Sequence, residues 1–473
     1  MNKKINKILV ANRGEIAVRI MRTCREIGIS TVAIYSDVDR NAYHVRMADE
    51  CYSVGVATVR ESYLNQNKII EIAKCSNVTA IHPGYGFLSE NPGFVELVHN
   101  NDLIFIGPGA EAIRLMGDKT AARELASSLG IPIVPGTTKP LSSIDEAIEV
   151  AKTLTYPILL KASGGGGGKG MRIINSDSEI ASGIRASQSE AESAFNDNRI
   201  YIEKYIENPR HIEVQILADS YGNVIHLGER ECSIQRRHQK IVEESPSPFI
   251  DEPIREKLTQ TAIRLVKHSG YTNAGTIEFI FDQEKNFYYL EMNTRLQVEH
   301  PVTEMRIGLD IVREQIAIAE GKPLSITQED IMFHGHAIEC RIYAEDPANN
   351  FYPSTGRIHS IKSPQGLGIR EDRGVQDGDE ITTYYDPIIS KLIAWGNTRE
   401  EARKRMIAAL EDYELFGVRN NIALCIWIMN HTVYSEGIID TNFLIRYFKP
   451  EMIEKYSDEV KSDWNLSGLV EDA

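Results

Sequence analysis

Five consecutive glycines stand between a serine and a lysine in Ser163-Gly-Gly-Gly-Gly-Gly168-Lys169-Gly170. Such a loop gives up maximal backbone entropy when it orders. It can also bring several backbone N–H groups against an anion, because no Cβ blocks the approach. Glycine runs commonly serve as flexible linkers. This one instead joins two apolar segments directly, Tyr156–Ala162 and Met171–Ile174, as a hairpin tip does, and Lys161 and Lys169 flank it. A Walker A loop opens a helix and ends Gly-Lys-Ser/Thr, so this loop is of another kind. The reading is a mobile lid over the phosphates of a nucleotide.

Gly275–Phe281 and Phe287–Asn293 read as the two strands of a hairpin with a short polar connection. Alternate side chains of a strand share a face, so Glu291 and Asn293 point the same way, and Glu278 can meet them from the neighbouring strand. A lone glutamate there would be a solvated strand-face residue. Two carboxylates with an amide oxygen suit a hard divalent cation, Mg²⁺ or Mn²⁺. Arg295 follows at the same pleat phase.

Gln235-Arg-Arg-His-Gln-Lys240 is a dense cationic block in an acidic protein. Alone it would be a solvated face. Arg295 and Glu299 continue the metal strand at a spacing of four. A guanidinium matches a small planar oxyanion bidentately, and a carboxylate beside that anion can act as a general base. Together these segments describe a small-oxyanion site next to a metal-bound phosphate.

The elements that must hold these groups follow from periodicity. Up to about residue 115, apolar strands at Lys7–Ala11, Thr31–Tyr35, Thr79–Ile81 and Leu103–Ile106 alternate with helices such as Glu15–Ile27, which predicts a parallel, doubly wound sheet. The first turn, Asn12-Arg-Gly-Glu15, has one glycine and is not a dinucleotide fingerprint. A helix is expected over Thr120–Leu129, and Gly130–Gly136 reads as a linker. Tyr201–Asn293 reads as strands and hairpins around a helix near Glu252–His268. Leu309–Glu320 is a helix closed by Gly321 and Pro323. From His334 to Phe448, strands precede the helix Glu400–Tyr413, which the capping box Thr398-x-x-Glu401 opens.

The charge balance, 52 Lys and Arg against 67 Asp and Glu, gives a net −15. It argues against nucleic acid and anionic membrane as partners. The six cysteines are scattered, with no Cys-x-x-Cys pair, as expected of thiols in a reducing cytoplasm. The run Ile422–Met429 is too short to span a bilayer.

The lid, Lys161 and the strand ending Glu291-Met-Asn293 resemble the ATP-grasp superfamily. Within it, Asn12–Ala17, His82–Asn91, Arg236–Lys240 and Glu291–Pro301 resemble the biotin carboxylases, over about Lys7 to Phe448. The implied fold is α/β and α+β. A Rossmann-like N-terminal α/β domain (1–116) precedes an ATP-grasp domain (117–325, lid about 132–204). A C-terminal mixed α+β domain (334–448) and a tail (449–473) follow. The resemblance implies that Lys119, Lys161, the lid glycines Gly166, Gly167 and Gly168, Glu203, Lys204, His211 and His238 hold ATP. It implies that Glu278, Glu291 and Asn293 hold Mg²⁺ or Mn²⁺, two ions per site. Lys240, Arg295 and the Val298 backbone would bind bicarbonate, Glu299 would deprotonate it, and Arg341 would stabilise the enolate-like form of biotin. The implied activity is ATP- and bicarbonate-dependent carboxylation of biotin through carboxyphosphate, within an acyl-CoA or pyruvate/2-oxoacid carboxylase. No Met-Lys-Met tripeptide occurs, so biotin would arrive on a carrier protein in trans. A carboxyltransferase subunit would be the other partner, and a homodimer the assembly. The alternatives are another bicarbonate-using ATP-grasp ligase or a non-catalytic ATP-grasp subunit. The latter would lack one of Lys240, Glu278, Glu291, Arg295 or Glu299, and all five are present.

Overall fold

The computed structural model describes residues 4–164, 170–453 and 456. At its N-terminal end five parallel strands stand in the order β3-β2-β1-β4-β5: β1 (Lys7–Val10), β2 (Ser30–Ser36), β3 (Glu50–Gly55), β4 (Ala80–His82) and β5 (Ile104–Phe105). Ile8, Leu9 and Val10 are fully buried, as a parallel strand covered on both faces requires. Helix α1 (Gly14–Glu26) turns Ile16, Ala17, Ile20, Met21 and Cys24 inward. The expected doubly wound sheet is present.

A helix α2 (Lys119–Ser128) leads into a three-stranded antiparallel sheet of β6 (Ile158–Ala162), β7 (Arg172–Ile174) and β8 (Ile200–Lys204). The glycine run does join paired strands, since β6 and β7 are antiparallel neighbours. Its residues 165–169, which include Gly166, Gly167 and Gly168, lie outside the described residues. Helices α3 (Ile144–Leu154) and α4 (Asp177–Phe195) pack on this sheet through Ala147, Ala151, Ile180 and Ile184. Neither was among the expectations, although Ser143-x-x-Glu146 carries the helix-start signature. Ser143 there accepts from the Glu146 N–H at 3.1 Å.

The expected linker Gly130–Gly136 is an ordered tie between sheets. Ile133 bridges Tyr289 and Gly136 bridges Glu203. Nearby, the Tyr289 N–H donates to Pro132 O at 2.8 Å and the Lys204 N–H to Pro135 O at 2.7 Å.

The largest unit is one antiparallel sheet of eight strands, β13-β12-β9-β10-β11-β14-β16-β15. Here β9 is Arg210–Ala218, β10 Val224–Arg236, β11 Gln239–Ser245, β12 Asn273–Phe281, β13 Phe287–Asn293, β14 His336–Tyr343, β15 Ile369–Arg373 and β16 Ile388–Gly396. It runs without a break past the expected 325/334 boundary, because β11 pairs with β14. Helix α5 (Glu252–Ser269) buries Leu258, Ala262, Leu265 and Val266 against it. Helices α6 (His300–Ile307) and α7 (Ile311–Ala319) follow β13. Helix α8 (Arg399–Glu411) starts one residue earlier than expected. Thr398 accepts from the Glu401 N–H at 3.2 Å, while Glu401 accepts from the Asn397 N–H at 3.0 Å, so the box closes one residue further back. Among the described residues no helix is long and apolar enough to cross a membrane.

The C-terminal strands clasp the N-terminal sheet. The Tyr385 hydroxyl donates to Ala57 O and accepts from Ser36 Oγ, both at 2.6 Å. Lys391 of β16 bonds Glu15 at 3.1 Å and Val298 O at 3.0 Å. Gly374 lies so near α1 that a Cβ there would stand 2.4 Å from Glu15 N and 2.8 Å from Gly14 C. Backbone cannot retreat as a flexible side chain can. Gly374→Ala is therefore expected to cost about 1–3 kcal/mol of overpacking, read as a lower thermal unfolding midpoint. An unchanged midpoint would mean that α1 and the loop after β15 are not locked together.

Candidate active site

Four strands of the large sheet align a row of charged side chains. Arg230 (β10) stands opposite Glu213 (β9), Glu213 opposite Glu278 (β12), and Glu278 opposite Glu291 (β13). Directly paired residues share a face, so three carboxylates sit side by side on one surface. Unpaired like charges so placed repel, and buried charges need partners. The row is terminated by cations. Arg230, fully buried, donates from Nε to Glu213 at 2.6 Å, and Lys119, at the start of α2, pairs with Glu291.

Lys240 enters the row from β11. Its Nζ donates to Glu213 at 2.6 Å, Glu278 at 3.0 Å and Glu299 at 2.6 Å. Burial works against an ammonium here, but the acidic groups around it, Cys232, Glu213, Glu278 and Glu299, hold its pKa well above the ordinary lysine value. Burial likewise opposes the Glu299 carboxylate, and Lys240, Arg341 and Arg230 more than reverse that, holding it far below the usual range. Glu278 is held low by Lys240 and His211 against its own burial. Burial and the negative Glu299 push Glu213 up in spite of Lys240 and Arg230. Burial works against a protonated His211, but the charge and hydrogen bond of Glu278 at 2.8 Å, together with Glu213, raise its pKa.

Glu278 also accepts from Asn293 Nδ2 at 2.8 Å and Gln297 Nε2 at 3.0 Å. The three expected metal ligands therefore lie on adjacent strands, with Glu278 and Asn293 in contact and Glu291 across the ladder against Lys119. Oxygen donors fit a hard cation, and His211 and Glu213 lie close enough to Glu278 to share one.

Arg295 donates to Glu90 at 2.9 Å, Gln297 Oε1 at 2.9 Å and Asn293 Oδ1 at 2.9 Å. The N-terminal domain thus supplies Glu90 to the rim. Arg341 of β14 bonds Glu243 at 2.5 Å through Nε and Glu299 at 3.1 Å through Nη2. Val298 O is held by Lys391.

Lys161 bonds Glu203 at 3.0 Å, and the fully buried Arg123 bonds the same carboxylate and Val134 O. Lys204 belongs to the other face of β8. Its ammonium donates to Thr155 O at 3.0 Å and is not brought to Lys161 and Glu203. His238 is exposed at the two-residue turn between β10 and β11. Arg237 and His238 there have φ of 49° and 67°, a region usually taken by Asn-Gly in such hairpins. Although its surface is open, the surrounding chain partly desolvates the His238 ring, and this, with the positive His211 and Lys161, lowers its pKa.

The expectations did not include Glu213, Arg230, Glu243, Glu90 or Arg123, and gave Gln297 no role. Glu229-Arg-Glu231 inside a long strand was a signal, because charges in a central strand need partners. Only the register reveals which partners they have.

With this geometry in place, likeness to known proteins becomes informative. The family model "Biotin carboxylase, N-terminal domain" matches residues 4–113, "Carbamoyl-phosphate synthase L chain, ATP binding domain" matches 118–327, and "Biotin carboxylase C-terminal domain" matches 339–446. Biotin carboxylase 1 of Bacillus subtilis is 50% identical over 444 residues, 94% of this chain and 99% of that protein. The chain belongs to the biotin carboxylase family. The human mitochondrial propionyl-CoA carboxylase alpha chain is 51% identical, over 93% of this chain and 61% of its own length. Among solved structures, the biotin carboxylase domain of Hydrogenobacter thermophilus 2-oxoglutarate carboxylase, a dimer in complex with MgADP, ADP and bicarbonate, superposes with a TM-score of 0.93. It is 48% identical and covers 96% of this chain and 99% of that one. The ATP-grasp fold and the ATP-dependent ligase class expected of the chain accord with these relatives.

Removing Lys240 leaves the family's charge row uncompensated. Lys240→Met is expected to abolish turnover and to destabilise the protein by about 3–5 kcal/mol near pH 7, the usual cost of stranding a buried charge. Because Lys240 depresses Glu278 and Glu299, its contribution is present above the ordinary carboxylate pKa of about 4.3 and is lost as pH falls further. The gap between wild-type and variant melting midpoints should therefore narrow towards acid pH. A gap independent of pH would remove Lys240 from the carboxylate cluster.

Proposed function

We propose that this chain is the biotin carboxylase component of a biotin-dependent carboxylase, transferring CO₂ from bicarbonate to carrier-borne biotin at the expense of ATP. The observation that carries this reading is the Glu299 carboxylate, fully buried yet bonded to both Lys240 and Arg341 beside the Glu278–Asn293 pair. Lys119, Lys161, Glu203, His211 and His238 would hold ATP. The lid that the resemblance implies, Gly166, Gly167 and Gly168, lies outside the described residues. Glu278, Glu291 and Asn293 would hold Mg²⁺ or Mn²⁺, two ions in the full site, which supply charge neutralisation at the phosphoryl oxygens. Lys119 and Lys240 add to that neutralisation from fixed positions.

Bicarbonate binds between Lys240, Arg295 and the Val298 backbone. Glu299 takes its proton as a bicarbonate oxygen attacks the γ-phosphorus, and the bond to ADP breaks. A base held far below the ordinary carboxylate range is always in its basic form but accepts a proton poorly. Bicarbonate, by engaging Lys240 and Arg295, draws positive charge away from Glu299 and so strengthens it. The carboxyphosphate formed is labile in water, which gives the closing lid its purpose. It yields CO₂ and the phosphate trianion. The phosphate takes the ureido proton of biotin and becomes the dianion, the biotin anion rests against Arg341, and the ureido nitrogen bonds to CO₂.

Biotin reaches the site on a carboxyl carrier, and the carboxyl group then passes to a carboxyltransferase partner. The dimer of the Hydrogenobacter domain supports a homodimer here. All six thiols are free, which supports a cytoplasmic setting.

Bicarbonate-dependent ATP hydrolysis in Mg²⁺ should be stimulated by free biotin. Arg341→Ala should retain the hydrolysis seen without biotin and lose the stimulation. A wild-type rate indifferent to biotin would overturn the assignment, and equal loss of both rates in the variant would place Arg341 elsewhere in the chemistry.

A further inference from the structure

Glu339 has no part in the chemistry above, yet it is fully buried in the middle of the large sheet, and neither carboxylate oxygen has a hydrogen-bond partner. In the ladder it stands directly opposite Glu243, so the two side chains share a face with Cβ atoms about 4.5–5.5 Å apart. Glu243 is fully buried too. One of its oxygens is bonded by Arg341, and the other, Oε2, has no partner. Three unpartnered carboxylate oxygens on two facing side chains lack only a proton to satisfy one another, because two carboxylates so close cannot both ionise in a medium of low polarity.

The neighbouring cations do not change this balance. On β16, Lys391 stands opposite Arg341, but its ammonium is committed to Glu15 at 3.1 Å and Val298 O at 3.0 Å, with Asp372 of β15 at 3.9 Å. On β14, Arg341 is divided between Glu243 and Glu299. Lys240 of β11 is taken up by Glu213, Glu278 and Glu299. Glu299, beside α6, adds a further negative charge. Burial, then the negative Glu243, push the Glu339 carboxyl well above its ordinary range, against Lys391 and Arg341. Burial also pushes Glu243 up, to about 7, although Arg341 opposes it.

We propose that Glu243 and Glu339 form a carboxyl pair holding one proton between them beneath Arg341, and that the pair's charge sets how strongly Arg341 attracts the anionic form of biotin. This rests on the reading of Arg341 as the residue that meets biotin. With one proton present the pair carries a single negative charge, and Arg341 keeps part of its positive field for the ligand. Loss of that proton places a second negative charge beside the guanidinium and weakens the field. Glu339 is thus a positioning residue that acts through Arg341 without touching substrate.

Infrared difference spectra of the full-length protein test the pair independently of any role in catalysis. Wild-type protein near pH 7 should show the carbonyl band of a protonated carboxyl, shifted in D₂O and lost on alkaline titration. Glu339→Gln should lack the band. Glu243→Gln should keep a carboxyl band at a shifted frequency, because burial alone still holds Glu339 neutral. Absence of the band from wild type, its persistence unchanged in Glu339→Gln, or an unshifted band in Glu243→Gln overturns the pair. Should neither variant fold, the wild-type band and its titration still decide. The pH profile of kcat/KM for biotin tests the link to function. It should fall on the alkaline side in wild type, and that fall should be missing in Glu339→Gln. Superimposable profiles overturn the link to biotin even where the infrared band is present.

Discussion

One lysine among three carboxylates is the interaction on which the site depends. Lys240 bonds Glu213, Glu278 and Glu299 at 2.6–3.0 Å, in surroundings where an isolated ion of either sign would be driven to neutrality. Each charge persists because the next one compensates it, from Arg230 through Glu213 and Lys240 to Glu299 and Arg341. Such a cluster adds little net stability beside an apolar core of equal volume, yet breaking it is costly. What it supplies is fixed polarity. Anion and cation sites lie within one side chain of each other, as the joining of an oxyanion to a metal-bound phosphate requires.

The large sheet makes this possible by register alone. Four antiparallel strands, two hairpins far apart in the chain, bring Arg230, Glu213, Glu278 and Glu291 into line. A slip of one residue in any strand would turn its charge to the other face. The same sheet continues through β11 into β14, which delivers Arg341 to the end of the row. The small sheet, with Lys161 and Glu203, is tied to this platform at Ile133 and Gly136. The N-terminal domain contributes Glu90 at the rim, and its α1 is pinned by Lys391 and the close approach of Gly374.

Much of this was legible in the sequence where chemistry is local. The alternation of apolar strands and helices foretold the parallel sheet, and a period of two placed Glu291 and Asn293 on one face with Glu278 beside them. The long motifs, such as Glu291–Pro301, carried the resemblance. What stayed hidden was non-local. Glu213, Arg230 and Glu243 look like ordinary strand residues until the ladder shows what stands opposite each. Gly130–Gly136 carries every sign of a linker, and only the bonds that its Pro132 O and Pro135 O accept from the Tyr289 and Lys204 N–H groups show it to be a tie. Lys204 is adjacent to Glu203 in sequence, but adjacency in a strand means opposite faces.

The central claim is that this charge row brings a bicarbonate oxygen to the γ-phosphorus of ATP, with Glu299 receiving the proton. The most direct measurement is turnover in ¹⁸O-labelled bicarbonate, with mass analysis of the phosphate released. Transfer of one labelled oxygen into each phosphate is the predicted result. Phosphate carrying oxygen from water alone would contradict it.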